Sequence, residues 1–276
     1  MNRQQVRSRF SALASREDSE IPLDEAALLI AAETDDSFDV EGYLHKLDEL
    51  ARRFESSFDS TTSLGISVSS LSDFIHSEEG FAGNVKNYYE PQNSYLNRVI
   101  DTRQGIPITL ALVHIGIGKR LNLPVGGISF PGHFLVRYGN DKQLIVDPFY
   151  GRLLSEADCA NLLRQIAGAR ARIKPEYFNL APNKDVLIRM LDNLKQIFWR
   201  QSAWENSKAC IERQLLLRPE QNEFTIQLGA VYEMQGDLPQ ARHTYTHVLQ
   251  GCQDDRIKQL ASKRLLALET RAPIVH

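Results

Sequence analysis

The feature that most restricts the fold is the stretch from Arg103 to Tyr150, where an apolar helix is followed by two strand-like segments. Residues Ile108–Leu121 are apolar on nearly every face, which is typical of a helix buried against a sheet. The segments His133–Tyr138 and Gln143–Pro148 follow, and the turn residues between them predict a hairpin. This order predicts an α+β core made of one buried helix and a small antiparallel sheet.

Two glycines lie inside the predicted helix, Gly116 and Gly118. Each costs up to ~1 kcal/mol relative to alanine in a helix interior. We therefore expect the backbone of the helix to pack closely against a neighbour at these positions, most simply against a strand.

Two polar residues of the predicted hairpin suggest chemistry. His133 and Asp147 lie on neighbouring strands, and a hairpin of this length can bring them side by side. A carboxylate beside a histidine fixes its tautomer and raises its basicity. The alternative is a buried polar contact that ties the two strands together. Spacing alone leaves both interpretations open.

Three motifs resemble bacterial proteins of the SirB1 family: Asn87–Leu96, Arg103–Leu110 and Phe130–Val136. That family joins a transglutaminase-like domain to tetratricopeptide-like helices, and the similarity extends over residues 20 to 265. The resemblance implies an α+β, transglutaminase-like and papain-related core of one helix with a small antiparallel sheet. It also implies helices before this core and an all-α region after it.

The resemblance also implies a site. In the superfamily, a cysteine at the helix start attacks a carbonyl, a histidine is its base, and an aspartate orients the histidine. Here the helix start reads Pro107-Ile108-Thr109, without a cysteine. The candidate catalytic residues are then Thr109, His133 and Asp147, with Asn93, Pro107 and Phe130 as neighbours in the cleft.

Thr109 has two interpretations. A helix N-terminus stabilises negative charge and can produce a cysteine thiolate, but a threonine hydroxyl gains far less and needs a base in direct contact. The alternative is that Thr109 caps the first helical turn. The register also allows Pro107 or Ile108 at the old nucleophile position. Ser94 is a second hydroxyl, in a segment that predicts a turn or a helix cap.

Other candidate groups give weaker signals. Cys159 and Cys210 lie on apolar helix faces, whereas we expect Cys252, after the last repeat, to be exposed; none sits at a motif that lowers a thiol pKa. His243 and His247 lack a third ligand, so no metal is expected. Without a phosphate-binding glycine loop, no cofactor is expected either. Tyr88-Tyr89-Glu90-Pro91 predicts a packed loop, because aromatic side chains mostly carry buried area.

The chain divides into two predicted domains, residues 1–180 and residues 185–269. The first joins N-terminal helices to the transglutaminase-like core, and a proline-containing linker at 174–183 ends it. The second has large and small residues at tetratricopeptide offsets. These are Leu228, Gly229, Tyr232, Ala241 and Tyr245, with Leu194, Phe198 and Ser207 at positions 34 residues earlier, and Asp255–Glu269 as a final cap helix.

Composition excludes some classes of function. A formal net charge of −3 argues against a general nucleic-acid binder, which needs a basic face. No apolar run is long enough to predict a membrane span, and the N-terminus lacks the apolar core of a signal peptide. Three widely spaced cysteines fit a reducing compartment, so a cytoplasmic location is expected.

Two hypotheses from different classes follow. The favoured one is a non-catalytic binding or scaffold protein that holds a protein or peptide through its repeats and its old substrate cleft. The rival is a hydrolase or acyl transferase that uses Thr109, His133 and Asp147.

Overall fold

The computed structural model describes residues 2–33, 38–57, 63–140 and 143–270. The chain forms two compact units, Met1–Met190 and Leu191–His276. Within the described residues, no helix is long and apolar enough to cross a membrane.

The first unit is mostly helical. Its complete helices are α1 (Arg3–Ala14), α2 (Leu23–Ala32), α3 (Val40–Ser57), α4 (Leu64–Asp73), α5 (Leu96–Thr102), α6 (Pro107–Arg120) and α7 (Glu156–Ala167). Helix α8 (Asn183–Arg200) begins in this unit, and a π-helical turn, Phe74–Glu78, continues α4. Short 3-10 turns lie at Asp18–Glu20, Pro91–Ser94 and Pro175–Phe178. The capping box predicted for α7 is present, with Ser155 and Asp158 bonded to each other's backbone N–H.

Helix α6 is the centre of the first unit. Every residue from Pro107 to Gly118 is buried, which agrees with the apolar pattern on all its faces. A Cβ added to Gly118 would lie 3.0 Å from Val125 Cγ1 and 3.2 Å from Tyr138 Cε1, so the close approach to strands is confirmed there. A Cβ at Gly116 would meet Leu47 of α3 instead, at an ordinary 3.4 Å. The neighbour of this second glycine is a helix rather than a strand.

The main sheet is antiparallel, as predicted, but it has four strands. They are β3 (Val125–Ile128), β4 (Leu135–Tyr138), β5 (Leu144–Asp147) and β6 (Arg152–Leu154), paired in sequence order. A separate parallel pair joins β1 (Ala82–Gly83) to β2 (Gln104–Gly105). The sequence did not predict β3, because its central Gly126-Gly127 has low strand propensity and its β-branched residues are only at its ends.

His133 lies outside the strand predicted to contain it. Strand β4 begins at Leu135, two residues later, because Phe130-Pro131-Gly132-His133 forms a tight turn. The His133 N–H donates to the Phe130 carbonyl at 3.0 Å, and Gly132 has φ +69°, a conformation that favours glycine. The turn therefore sets the position of the histidine immediately before the sheet.

The beginning of α8 is fixed by a residue far away in the sequence. Asp18 accepts the N–H of Asn183 at 2.7 Å and the N–H of Lys184 at 2.9 Å through its two carboxylate oxygens. The Asn183 side chain donates to the backbone carbonyls of Asp18 and Ile21. The division between the two units falls inside α8, at Met190 and Leu191, rather than at the predicted linker.

The second unit consists of helices throughout its described part. After the end of α8 come α9 (Trp204–Leu217), α10 (Asn222–Gln235), α11 (Leu238–Gly251) and α12 (Asp255–Thr270), and from α9 onward each helix contacts the next. Of the predicted core positions, Leu194, Phe198 and Tyr245 are buried, whereas Leu228 and Tyr232 are half-buried. The tetratricopeptide-like character of these helices stays a prediction.

Candidate functional site

His133 and Asp147 form a hydrogen bond at one end of the main sheet. The distance from His133 Nε2 to Asp147 Oδ1 is 3.1 Å, and the Asp147 side chain is only 1% exposed. The same Oδ1 accepts the backbone N–H of Phe149 at 3.0 Å, so its position is fixed. Because a carboxylate only accepts, a neutral His133 carries its proton on Nε2 and keeps a lone pair on Nδ1.

Thr109 is completely buried, and backbone groups use its hydroxyl. The Oγ1 atom donates to the Asn93 carbonyl at 2.7 Å and accepts the Ile106 N–H at 3.1 Å. The capping interpretation of Thr109 is therefore confirmed. No hydrogen bond joins Thr109 to His133 in the part of the chain that the structure describes. Pro107 and Ile108, the other residues at the helix start, are also buried.

Asn93 organises the loop that precedes α5. Its Nδ2 donates to the carbonyls of Asn87 at 2.6 Å and Tyr88 at 3.3 Å, and its Oδ1 accepts from Asn84 Nδ2 at 3.0 Å. The neighbouring Ser94 lies in the 3-10 turn that its sequence predicted, with its hydroxyl buried. The Asn93 side chain therefore holds the loop together, and its backbone carbonyl accepts the Thr109 hydroxyl.

Phe130 belongs to the hydrophobic core. It is completely buried and its ring centroid lies 6.2 Å from those of Tyr177 and Phe178. Its contribution near His133 is its carbonyl, which accepts the His133 N–H in the turn.

Three aromatic side chains lie in a row beside Asp147, and we define Tyr88, Phe149 and Tyr150 as the aromatic strip. Phe149 is only 8% exposed, so the two tyrosines form the accessible part of the strip. The ring centroids of Tyr88 and Phe149 are 6.1 Å apart, and those of Phe149 and Tyr150 are 5.1 Å apart. Tyr88 is 40% exposed and Tyr150 is 65% exposed, and Tyr89, next in sequence to Tyr88, is 65% exposed. The predicted packed loop is therefore wrong for these tyrosines, because local sequence does not show that the loop's polar contacts turn its rings outward.

Two arginines lie near the aromatic strip. The Arg152 Cζ lies 5.6 Å from the Tyr150 ring centroid. Arg189 lies within electrostatic reach of Tyr88, donates from Nη2 to the His133 carbonyl at 3.0 Å, and stacks 5.3 Å from the Phe134 centroid. Burial lowers the Arg189 pKa, because desolvation disfavours the charged guanidinium. Sequence reasoning did not identify either arginine.

Two histidines, His76 and His114, contact each other inside the first unit, and no sequence pattern predicted this contact. His76 Nε2 and His114 Nε2 are 2.9 Å apart, His76 Nδ1 lies 2.7 Å from the Phe81 carbonyl, and His114 Nδ1 lies 3.1 Å from the Tyr138 hydroxyl. Burial lowers the pKa of His76 and places that of the completely buried His114 well below its usual value. The one sign of this contact in the sequence is His114 itself, a polar residue among the apolar residues of α6.

These contacts determine the neutral tautomers. His76 must donate from Nδ1 to the Phe81 carbonyl, so its Nε2 accepts. His114 then donates from Nε2, and its Nδ1 accepts the hydroxyl proton of Tyr138. Every ring nitrogen of the pair is satisfied without a charge.

The three cysteines are all buried. Burial raises the thiol pKa of Cys159 to about 11 and that of Cys210 to about 12. The expectation that Cys252 is exposed is wrong, because it ends α11 and packs into the core formed with α12, where it is 3% exposed. His243 and His247 are exposed, and no group of three or more potential metal ligands occurs among the described residues.

The buried helix, the antiparallel sheet beside it and the His133–Asp147 pair define a transglutaminase-like class of α+β protein. A family model described as the transglutaminase-like superfamily matches residues 41–192. The chain therefore belongs to the transglutaminase-like superfamily, together with the UPF0162 proteins that it matches along most of its length.

Two such relatives illustrate the similarity. A UPF0162 protein of Xylella fastidiosa strain 9a5c is 32% identical over 246 residues, which cover 87% of this chain and 88% of that protein. The UPF0162 protein PA3419 of Pseudomonas aeruginosa is 35% identical over 173 residues, 63% of each chain. A crystal structure of menin matches with a TM-score of 0.43 and 12% identity, over 88% of this chain and 68% of menin.

Proposed function

We propose that this chain is a non-catalytic binding protein. It holds a protein or peptide segment in the cleft beside His133 and Asp147, and its C-terminal helices, interpreted as SirB1-type tetratricopeptide-like repeats, contribute a second binding surface. The cytoplasm is the proposed location.

The observation that carries this proposal is that no accessible nucleophile lies among the described residues at the start of α6. A nucleophile needs an accessible atom and a base that removes its proton. The Thr109 hydroxyl is completely buried and bonded to the backbone of Asn93 and Ile106. The cysteines do not replace it, because burial raises the pKa of Cys159 and Cys210 and disfavours the thiolate.

The surface beside the pair supports recognition rather than chemistry. Tyrosine and arginine are enriched where proteins bind each other, since each combines a large contact area with a polar group. The aromatic strip and the two arginines near it place this composition next to His133. In the second unit, consecutive packing of α9 to α12 supports a repeat array of the kind that forms extended binding surfaces.

The second candidate is a hydrolase or acyl transferase that uses Thr109, His133 and Asp147. The hydrogen bond between His133 and Asp147 favours it, because this bond holds the imidazole in the tautomer that a general base needs. The candidate also requires Thr109 to give up both backbone hydrogen bonds and to reach His133.

Photo-crosslinking tests the binding proposal. The crosslinking amino acid p-benzoylphenylalanine replaces Tyr89 or Tyr150 near the cleft, or Met234 in the second unit, in the full chain expressed in bacterial cells. Ile66, which is 55% exposed on α4, is the matched control. We expect one partner to crosslink at the cleft and second-unit positions but not at position 66. We expect the purified partner to bind the unaltered chain and the Thr109→Ala variant of the chain with equal affinity.

An activity assay decides between the two candidates. The purified chain is incubated with a glutamine-containing peptide and a fluorescent primary amine, and hydrolysis and amine incorporation are followed by mass spectrometry. We expect no turnover. Turnover that disappears in both Thr109→Ala and His133→Ala would establish the enzyme and overturn the non-catalytic proposal.

A further inference from the structure

We propose that the aromatic strip and its two arginines form a binding site for an acidic peptide segment, in which two carboxylate side chains flank an apolar or aromatic residue. This inference rests on the proposed binding function of the cleft and specifies the chemistry of the occupant. The two carboxylates pair with Arg152 and Arg189, and the central residue packs on the exposed rings of Tyr88 and Tyr150, which the buried Phe149 supports.

Four of the five side chains form a continuous series of contacts, and the fifth, Arg189, is linked to the series electrostatically. Arg152 lies over Tyr150, Tyr150 contacts Phe149, and Phe149 contacts Tyr88. Tyr88 lies within electrostatic reach of Arg189, which completes the series at the His133 side. Two exposed tyrosine rings thus have one cation near each of them, Arg152 near Tyr150 and Arg189 near Tyr88, and a segment that contacts both rings can reach both cations.

The cation at the His133 side lacks an anionic partner. Within the described ranges, Arg189 forms no ion pair, and its one hydrogen bond goes to the neutral carbonyl of His133. A guanidinium carries five N–H donors, and a half-buried one is stabilised when a carboxylate accepts two of them in parallel. The pKa of Arg189 is lowered because burial removes the guanidinium from water and its contacts do not offset that loss.

Arg152 is exposed and forms no ion pair within the described part of the chain either. The Asp158 carboxylate lies within its electrostatic reach, but this group is bonded to the Ser155 hydroxyl and N–H as the cap of α7. Asp147, its partner across β5 and β6, is bonded to His133. These two carboxylates are therefore already bonded to other groups, and the exposed Arg152 is available to a ligand.

The spacing of the charges favours internal acidic side chains over a chain terminus. A single C-terminal carboxylate would satisfy one arginine, whereas the two cations are associated with different rings, Arg152 with Tyr150 and Arg189 with Tyr88. A nucleic acid also combines negative charge with stacking surfaces. Two cations on a chain with a formal net charge of −3 are too few for the basic face that nucleic-acid binding needs.

Fluorescence anisotropy with a synthetic peptide tests the site on the full chain. The probe is a fluorescein-labelled, C-terminally amidated peptide, Gly-Glu-Gly-Phe-Gly-Glu-Gly, and its matched control carries Gln in place of both Glu residues. We expect saturable binding of the Glu peptide at low salt. The Gln peptide should bind at least about ten-fold more weakly, which is what loss of a charged hydrogen bond produces.

Variants of both arginines locate the binding. Arg152→Gln and Arg189→Gln should each weaken binding of the Glu peptide several-fold or more, whereas Arg170→Gln, which removes one exposed charge elsewhere, should not. Arg189→Lys retains the charge but loses the planar pair of donors, so it should bind with intermediate affinity. Since Arg152 is exposed, its variant provides the test even if Arg189→Gln fails to fold.

Three results would overturn the inference. They are equal binding of the Glu and Gln peptides, unchanged binding in both arginine variants, and tighter binding of a twelve-residue oligouridine than of the Glu peptide. Crosslinking at Tyr89 and Tyr150 without any preference for the Glu peptide would refute this inference and leave the proposed function standing. Selective binding of the Glu peptide without a crosslinked cellular partner would support the acidic-peptide site and count against the proposed function.

Discussion

His76 and His114 face each other inside the first unit, with their Nε2 atoms 2.9 Å apart. One nitrogen must donate and the other must accept, so the contact is lost when both rings are protonated, and burial lowers the pKa of each ring. The pH dependence of stability follows from this contact.

We predict that the chain loses stability as the pH falls from 7 to 5. Burial lowers the pKa of both histidines in the folded chain, so the unfolded chain binds more protons once the pH falls below the usual value near 6.5. The stabilisation is complete above that pH and decreases below it, by about 1.4 kcal/mol per pH unit for the fully buried His114. Urea unfolding followed by circular dichroism at pH 5, 6 and 7 measures the slope.

His114→Gln should reduce this slope, whereas His243→Gln, which changes an exposed histidine on α11, should leave it unchanged. An identical slope in the His114→Gln variant would show that other groups produce the pH dependence. Asp101 does not affect this window, since its pKa is already lowered below 3.8 by Lys46 and Tyr43, which outweigh its desolvation.

Thr109→Ala should destabilise the chain by about 1–2 kcal/mol, because the buried N–H of Ile106 loses its acceptor and α6 loses a cap. Thr109→Ser retains the hydroxyl and should cost less. Thr102→Ala is the matched control, since that hydroxyl also accepts a backbone N–H, from Gln104 at 3.3 Å, but is exposed, so water can replace it. Midpoints of urea unfolding compare the three variants, and equal effects of Thr109→Ala and Thr102→Ala would contradict the capping role.

Asp147→Ala should destabilise the chain more than His133→Ala does. Both variants remove the contact between the pair, but Asp147 also accepts the N–H of Phe149 and lies almost completely buried. An unsatisfied buried N–H costs about 1–3 kcal/mol. Asp147→Asn retains an oxygen for that N–H and should fall between the two. The order is read from thermal unfolding, and a larger effect of His133→Ala would show that the pair is not anchored through Asp147.

Gly229→Ala should destabilise the second unit by about 1–3 kcal/mol, the usual cost of overpacking. The added Cβ would lie 2.4 Å from Cε1 of Tyr245, a completely buried ring whose hydroxyl bonds Glu233. Gly251→Ala is the control, because a Cβ at Gly251 meets nothing within 4 Å and alanine favours a helix. Denaturation midpoints should fall for the first variant and not for the second.

The parts of the fold that sequence predicted are those with a strong local pattern. Helix α6 begins one residue before the predicted Ile108 and ends one before Leu121, because its apolar residues continue on every face between Pro107 and the polar Lys119-Arg120. The cap role of Thr109 also follows from its place in the first turn. Strand β3 has no such pattern, since two glycines occupy its centre and only contact with the sheet orders them.

The parts that sequence could not predict depend on contacts between distant segments. His76 and His114 are 38 positions apart, and a π-helical turn brings the first to the second. The aromatic strip similarly joins Tyr88 of one loop to Phe149 and Tyr150 that follow β5. No spacing rule connects such residues, so neither cluster could be read from periodicity.

The carboxylate of Asp18 has a consequence for where this domain can be cut. The family match begins at residue 41, yet the first turn of α8 receives its cap from residue 18. A fragment trimmed to the matched residues would leave the N–H groups of Asn183 and Lys184 exposed to water, at the helix that carries Arg189. A fragment that keeps the beginning of α8 capped must therefore extend upstream of the matched residues to include Asp18.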